Sequence, residues 1–399
     1  MGIPYAKPPT GHRRFLAPQE YKDRLKRHYK HLGSMCMQKS NGVIEGSEDC
    51  LFLNVYTPFH LKKKQKQCRK KYPVMFWIHG GSFNTGSGDY NLYGPDYLVR
   101  QGVILVTFNY RLGVLGFLSN PDWGIKGNMG LQDQIMALKW VNENIEAFGG
   151  DKNRITIFGE SAGAASVHYL MMDNSTEKLY QRAILQSGSL LNPWARQFNT
   201  TQRFRDLQNL TNLSKDNKNT IEAKKLVTAA VDKVPNEVDN IHGTNPVFNP
   251  IFQTYMTWEK REDSIRDFVK DMWLGVSHTD DLGYLFAMSQ EYNIGWYTLR
   301  IYSEIPKEAQ ETHKKMITLW TNFAKTGKKR PKPPYGDISE ITWNPFNIKD
   351  PKYLDMANEG FNMKNFEEQQ RMEPWNELHA EYHRYILDLE EKRKLKEKK

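Results

Sequence analysis

Apolar positions are most regular between residues 73 and 189, where short apolar runs alternate with glycine turns and one long helical stretch. The runs 74–78 and 103–108 are almost continuously apolar, which is typical of strands buried on both faces. A third run, 154–158, predicts another strand that leads directly into a glycine. This alternation predicts an α/β fold with a mostly parallel central sheet flanked by helices.

A helical pattern separates the second and third of these runs. The apolar residues that recur there at helical spacing are Leu131, Ile135, Leu138, Val141 and Ile145. Beyond residue 194 polar residues dominate and predict helices and loops, until a helical pattern returns over 317–324 and is closed by Gly327. We expect one domain over 1–399, with its sheet core at 73–189 and a charged tail at 385–399.

Charge and hydropathy narrow the class of protein. The net charge of +10 comes partly from lysine-rich runs at 62–64, 328–332 and 392–399, and such runs usually solvate loops and ends. No nucleic-acid recognition motif accompanies them, so no nucleic-acid partner is expected. No stretch approaches the roughly 20 apolar residues of a transmembrane helix. A mean hydropathy of −0.70 indicates that some core-forming segments are absent.

A G-x-S-x-G pentapeptide at 159–163 places Ser161 between a predicted strand and a predicted helix at 164–172. A serine there lies on a tight, strained turn, and the glycines are needed because a β-carbon would clash with the neighbouring strand and helix. The pattern alone is common by chance. Its position between strand and helix favours a catalytic nucleophile.

A second glycine motif, the H-G-G-S-F run at 79–83, directly follows the strand at 74–78. Consecutive glycines leave backbone N–H groups accessible, and such groups can hold the negative oxygen of a tetrahedral intermediate. An ordinary glycine turn is the alternative. The presence of Ser161 downstream favours the oxyanion hole.

Together the motifs resemble those of type-B carboxylesterases, the cholinesterase-like hydrolases, and are most similar to insect α-esterases. The resemblance runs almost without a gap from Gly2 to about Trp194 and implies an α/β-hydrolase fold. The runs that carry it are G-I-P-Y-A at 2–6, S-E-D-C-L at 47–51, H-G-G-S-F at 79–83, N-Y-R-L-G at 109–113, the segment 128–133 and G-E-S-A-G at 159–163.

The resemblance implies the roles of five site residues. Ser161 is the nucleophile, and the backbone N–H groups of Gly81, Ser82 and Ala162 form the oxyanion hole. Ser82 stands where the family usually has a third glycine. The segment 275–282 resembles the family's G-x-x-H-x-x-E-L box, which makes His278 the general base. No metal or cofactor is implied, and the partner is a small-molecule ester.

The resemblance also implies substrate contacts and structural pairs. Trp194 corresponds to the tryptophan of the acyl pocket, with an ordinary core residue as the alternative, and Phe83 and Glu160 complete the substrate-binding set. By count alone the three cysteines are compatible with three reduced thiols. The pairs that the resemblance implies are a disulfide between Cys36 and Cys50 and buried ion pairs between Arg14 and Glu48 and between Arg111 and Asp133.

The acid of the triad is missing from its expected place. It should lie between Ser161 and His278 in chain order, but no glutamate in that interval has the family's glycine-flanked context. We therefore expect an incomplete chain, truncated at its amino terminus and internally deleted between about 251 and 275. The consequence is an esterase whose activity is weak or lost.

Two other classes share this fold. A catalytically inactive, cholinesterase-like binding or adhesion protein is the first, and the presence of Ser161 and His278 disfavours it. A lipase is the second, disfavoured by the absence of an apolar lid segment. Glycosylation sequons at Asn174, Asn199, Asn209 and Asn212 would suit a secreted glycoprotein, but such triplets recur by chance, so a secreted and a cytoplasmic location both stay open.

Overall fold

The computed structural model describes residues 1–22, 31–40, 42–58, 71–195, 197, 200–232, 281–287, 292–294, 297–299, 307–327, 352–357 and 360–365. The predicted base His278 and the predicted tail at 385–399 lie outside these ranges, as does the interval 251–275 in which a deletion is expected. Among the described residues, no helix is both long and apolar enough to span a bilayer.

A six-stranded sheet forms the centre of the described structure, and it confirms the predicted fold class. Its strands are β1 (Ile3–Pro4), β4 (Phe52–Tyr56), β5 (Tyr72–Ile78), β6 (Ile104–Phe108), β7 (Gly150–Glu160) and β8 (Arg182–Gln186). They run in the order β1-β4-β6-β5-β7-β8. The strands β6, β5, β7 and β8 are parallel to one another, whereas β4 is antiparallel to β6 and β1 is antiparallel to β4.

Three antiparallel strand pairs lie outside this sheet. They are β2 (Gln38–Ser40) with β3 (Val43–Glu45), β9 (Tyr292–Ile294) with β10 (Tyr297–Leu299), and β11 (Lys352–Ala357) with β12 (Gly360–Asn365).

The described helices cover the sheet and follow the predicted pattern. The two long predicted helices form as α3 (Met129–Asn144) and α8 (Gln310–Thr326). The second is capped by Gly327, whose φ of 69° is the left-handed conformation that glycine favours. The described residues 200–232 form two helices, as expected. The helices are α1 (Asp96–Arg100), α2 (Gly113–Phe117), α3 (Met129–Asn144), α4 (Ala162–Met172), α5 (Thr200–Thr211), α6 (Ala223–Asp232), α7 (Leu282–Leu285) and α8 (Gln310–Thr326).

Strand β5 shows why the central strands are apolar throughout. Val74 and Phe76 lie in the apolar cluster that contains residues of α3 and α4. Met75 and Trp77 lie in the cluster on the other face, with residues of α1, α7 and α8. Because neighbouring side chains of a strand point to opposite faces, both sets must be apolar when helices cover both sides.

The order of the strands places two loops side by side. The chain passes from β5 to its neighbour β6, and then returns to the other side of β5 as β7. Ligand sites of open α/β sheets lie beyond the carboxyl ends of the strands at such a switch point. The loops that follow β5 and β7 are the segments with the two glycine motifs, so the sheet itself brings them together.

Candidate active site

Ser161 lies at the junction of β7 and α4 with a strained backbone. Its φ of 56° and ψ of −121° fall where a residue with a side chain is disfavoured, a strain that costs on the order of 1–3 kcal/mol. Its N–H donates to the carbonyl of Gln186 at 2.9 Å, and its carbonyl accepts from the N–H of Ala165 at 3.0 Å. The neighbouring strand β8, through Gln186, and the helix α4, through Ala165, therefore hold the strained turn.

The two glycines that flank this turn have no room for a side chain. A β-carbon on Gly163 would lie 2.0 Å from the carbonyl oxygen of Ile78, and one on Gly159 would lie 2.6 Å from the carbonyl carbon of Gly163. Backbone atoms cannot move aside as the end of a flexible side chain can. The clash that the motif predicts is thus present. The strand-to-helix turn 159–163, called the elbow below, can form only with glycine at both positions.

The loop after β5 turns back on itself with three consecutive positive φ angles. They are 102° at Gly81, 54° at Ser82 and 60° at Phe83. The carbonyl of Gly81 fixes the turn, since it accepts from the N–H groups of both Asn84 and Thr85. A β-carbon on Gly81 would lie 2.2 Å from the carbonyl oxygen of Thr85, so only glycine fits there.

Unused backbone donors occur both in this loop and at the strand-to-helix turn of Ser161. Among the hydrogen bonds of the described residues, none uses the backbone N–H of Gly81, Ser82 or Ala162. The two segments are in contact, because a β-carbon on Gly80 would lie 3.2 Å from the β-carbon of Ser161. Free donors next to a serine oxygen are the arrangement that stabilises a developing oxyanion.

His79 anchors the base of the loop 79–83, the predicted oxyanion loop. Its ring is fully buried and stacks on Tyr110, with centroids 4.4 Å apart, and the Tyr110 hydroxyl donates to the His79 carbonyl. Its Nδ1 lies 2.8 Å from the carbonyl oxygen of Gly80, so Nδ1 carries the proton. Burial lowers the pKa of His79 to about 4. A neutral, stacked imidazole therefore fixes the strand end from which the oxyanion loop starts.

Glu160 lies beneath the elbow in a buried acidic pair. Its side chain approaches Gly80, where a β-carbon would lie 2.9 Å from its Oε2. Burial raises the pKa of Glu160 well above its ordinary value, and the neighbouring Asp281 carboxylate raises it further. The Asp281 carboxylate accepts from the side-chain amide of Gln186, whose own oxygen accepts from the indole N–H of Trp320 at 3.1 Å. The carboxyl of Glu160 is thus directed away from solvent.

No role was predicted from the sequence for Asp281 or Gln186. Asp281 occupies the position of the glutamate in the histidine box, and this position was the one signal that could have indicated a role for it. No sequence signal indicated Gln186, because its contacts come from residues 95 and 134 positions away along the chain.

The two aromatic residues of the predicted substrate-binding set lie in one apolar cluster with the elbow. Phe83 is fully buried and meets Phe117 edge to face with centroids 5.4 Å apart. Trp194 is half-buried and packs against the cluster that contains Ala162. Phe83 therefore lies within the core beside the elbow, and Trp194 lies at the edge of that core.

The three structural pairs expected from the resemblance are present. Cys36 and Cys50 form a disulfide across 14 positions of the chain. Arg14 makes a two-pronged pair with Glu48, at 2.5 and 2.9 Å. The pair between Arg111 and Asp133 is also two-pronged, at 2.8 and 2.7 Å, with both side chains almost fully buried. These contacts join segments that are separated along the chain.

Within the described ranges, no group of three or more His, Cys, Asp or Glu side chains is arranged to hold a metal ion. What the described part assembles is a strained serine, three free backbone donors and a buried carboxyl. A parallel sheet with a nucleophile elbow at its switch point defines an α/β-hydrolase fold.

Comparison with known proteins identifies the family. Residues 1–233 and 211–375 match the model of the carboxylesterase family, and the chain belongs to that family. A juvenile hormone esterase of Tribolium castaneum is 49% identical over 206 residues, which are 50% of this chain and 34% of that protein. Neuroligin-2 of Mus musculus is 41% identical over 232 residues, which are 49% of this chain and 28% of that protein.

A solved structure supports the fold independently. The carboxylesterase of Geobacillus stearothermophilus superposes with a TM-score of 0.71 over 92% of this chain and 94% of that chain, at 24% identity. At that identity the likeness concerns the fold. The chain spans from about a third to under half of the length of the curated relatives it matches first.

Proposed function

We propose that this chain hydrolyses carboxylic esters through an acyl-enzyme formed on Ser161. The observation that carries the proposal is the strained φ of 56° at Ser161, directly beside backbone N–H groups that no described residue uses. A strained turn persists only where the surrounding structure holds it, and such strain concentrates at active sites. Membership of the carboxylesterase family supports the same reaction.

The reaction takes two steps. The Ser161 hydroxyl oxygen attacks the ester carbonyl while His278 accepts its proton, and the C–O bond breaks as His278 returns the proton to the departing alcohol. Water then attacks the acyl-enzyme with the same base, which releases the carboxylic acid and restores the serine. Neither step requires a metal or a cofactor.

The backbone donors of the oxyanion loop carry the charge in both steps. When the carbonyl carbon becomes tetrahedral, its oxygen gains a full negative charge, which the N–H groups of Gly81, Ser82 and Ala162 stabilise. Loss of one such donor costs about 10²–10³ in kcat in serine hydrolases. Since all three donors are backbone groups, Ser82 serves as well as the usual glycine.

The missing acid lowers the rate of ester hydrolysis that we expect. A triad histidine that lacks its carboxylate loses its correct tautomer and about 10⁴ in kcat. The oxyanion hole and binding alone retain 10³–10⁴ over water. If no carboxylate replaces the missing acid, we expect a weak esterase.

A fluorophosphonate probe tests the proposal on the full chain. We expect the probe to label the wild type, Ser161→Ala to abolish labelling, and the matched change Ser175→Ala, at an exposed serine, to leave it intact. p-Nitrophenyl acetate hydrolysis should follow the same order. Labelling that survives in Ser161→Ala, or no labelling of folded wild type, would overturn the assignment.

A binding protein without turnover is the second candidate. It is favoured by the lack of any glutamate in the family context between Ser161 and His278. In that case the probe still labels Ser161 weakly or not at all, and no ester is turned over. A lipase is separated from an esterase by a series of p-nitrophenyl esters of increasing chain length, because an esterase prefers the short acyl groups.

A further inference from the structure

The loop that follows β8, residues 187–195, is tied to helix α4 by two consecutive side chains of that helix. Nδ1 of His168 lies 3.1 Å from the Ser189 hydroxyl. The hydroxyl of Tyr169 donates to the carbonyl of Ala195 at 3.2 Å. Both helix residues are only 1% exposed, so these bonds are shielded from competing water. The loop is therefore held near its beginning and at its end by the helix that starts at Ser161.

Bonds within the loop make it a rigid unit between these two ties. The Ser189 hydroxyl oxygen accepts from the N–H of Leu191 at 3.1 Å, and the Ser189 N–H donates to the side chain of Asn192 at 2.7 Å. The carbonyl of Asn192 accepts from the N–H of Ala195 at 2.9 Å. Because a hydroxyl has one hydrogen and two lone pairs, the Ser189 hydroxyl can bond the Leu191 N–H and the His168 ring at the same time.

The loop also contacts the elbow directly. A β-carbon on Gly188 would lie 2.2 Å from the carbonyl oxygen of Ser161 and 3.1 Å from the side chain of Ala164. Trp194, near the other end of the loop, packs against the cluster that contains Ala162 and Tyr169. A shift of the loop relative to α4 therefore moves the indole relative to the nucleophile.

We propose that His168 and Tyr169 are positioning residues that determine which acyl groups are accepted, by fixing the loop 187–195 and Trp194 relative to Ser161. The proposal rests on the ester hydrolysis proposed above. It concerns the acyl side of the ester, since the loop lies beside the serine that becomes acylated. The two side chains act through the loop and need no contact with substrate.

Single changes in the full chain separate the two ties. Tyr169→Phe removes one hydroxyl, and His168→Leu removes the ring nitrogen that bonds Ser189. His168→Asn restores a hydrogen-bonding group near the position of Nδ1, since an amide can donate or accept. We expect the ratio of kcat/KM for p-nitrophenyl hexanoate over acetate to change about five- to tenfold in the first two variants. Misplacement of a bound group by ~1 Å can cost up to 10²-fold. His168→Asn should return the ratio close to the wild-type value.

Hydrogen–deuterium exchange provides a readout that needs no turnover. The backbone N–H groups of Leu191 and Ala195 should exchange about tenfold faster in Tyr169→Phe and His168→Leu, because the loop opens more often. Tyr5→Phe is the matched control. It also removes a buried hydroxyl that donates to a backbone carbonyl, that of Asn109 at 2.6 Å, but in a segment that follows β6.

The outcomes distinguish this inference from the proposed function. A wild type that is not labelled at Ser161 overturns ester hydrolysis itself. A labelled wild type whose chain-length ratio is the same in Tyr169→Phe, His168→Leu and Tyr5→Phe overturns only the positioning role. Faster exchange of the loop with an unchanged ratio also contradicts it, since the loop would then move without affecting the acyl group.

Discussion

Two loops contact Ser161 and are fixed by opposite means. The oxyanion loop, residues 79–83, is fixed by backbone geometry, with three consecutive positive φ angles and glycines in contact with backbone atoms. The loop 187–195 is fixed mainly by side chains, through His168, Tyr169 and Asn192. The oxyanion loop depends mainly on the absence of side chains at its glycines. The loop 187–195 shares this requirement only at Gly188, and beyond that residue it depends on the presence of side chains.

The difference indicates how well each side of the site should tolerate substitutions. A backbone-to-backbone contact leaves no space that a substitution can use, so any side chain there forces the sheet or the helix to move. A side-chain hydrogen bond can be weakened in steps and leaves the backbone path intact. We expect the oxyanion side to be invariant in shape and the acyl side to be tunable.

The largest effect should follow from Gly163→Ala, which places a β-carbon 2.0 Å from the Ile78 carbonyl oxygen. Because no atom in that contact is flexible, we expect a loss of about 3 kcal/mol or more in the free energy of unfolding. Urea denaturation of the full chain measures it. Gly124→Ala is the control, since Gly124 has a φ of 72° but open space around it, and should cost only ~1–2 kcal/mol. Equal losses of stability in the two variants would contradict the claim that contact with the Ile78 carbonyl excludes a side chain at Gly163.

A smaller loss is expected for Ser189→Ala on the other loop. The change leaves the Leu191 N–H and Nδ1 of His168 without the hydroxyl that now bonds both, which should cost about 1–3 kcal/mol. Ser175→Ala, at an exposed serine, should stay within about 0.5 kcal/mol of wild type by the same urea measurement. A Ser189→Ala protein as stable as this control would show that side chains do not hold the loop.

Glu160→Gln should change the pH dependence of stability. The pKa of Glu160 is raised in the folded state by burial and by Asp281, so its stabilising contribution is present at low pH and is lost as pH rises through the folded pKa. We expect the gain in Tm from Glu160→Gln to be larger at pH 8 than at pH 4. Glu177→Gln on the surface is the control. A gain that is larger at pH 4 would contradict a raised pKa.

The smallest effect should be a gain from Ser82→Gly. Ser82 has a φ of 54°, which glycine adopts without the steric cost that a side chain brings. We expect a gain of up to ~1 kcal/mol in the free energy of unfolding, with the oxyanion donor retained. Ser175→Gly, at a residue without a positive φ, should lose stability instead. No gain at Ser82 would mean that its own contacts already offset the strain.

Much of the fold could be predicted from the pattern of apolar residues, because each strand or helix is indicated by a short stretch of the chain. The apolar runs at 74–78 and 103–108 became β5 and β6, and the helical spacing from Leu131 became α3. The boundaries moved by a few residues, since polar residues such as Tyr72 can extend a strand at its end. The catalytic roles of Ser161, of His278, of the three backbone donors and of the acid stay predictions.

The sequence by itself determined the elbow and the oxyanion loop, because glycines are required there by contacts with the nearest strand and helix, and such contacts follow from the order of the elements. Only the tertiary structure decided which side chains support the site. Asp281 meets Gln186 across 95 positions and Trp320 meets Gln186 across 134, and His168 meets Ser189 only because α4 packs against the end of β8. Pairings of that kind depend on how the helices pack on the sheet, and no local pattern along the chain predicts that packing.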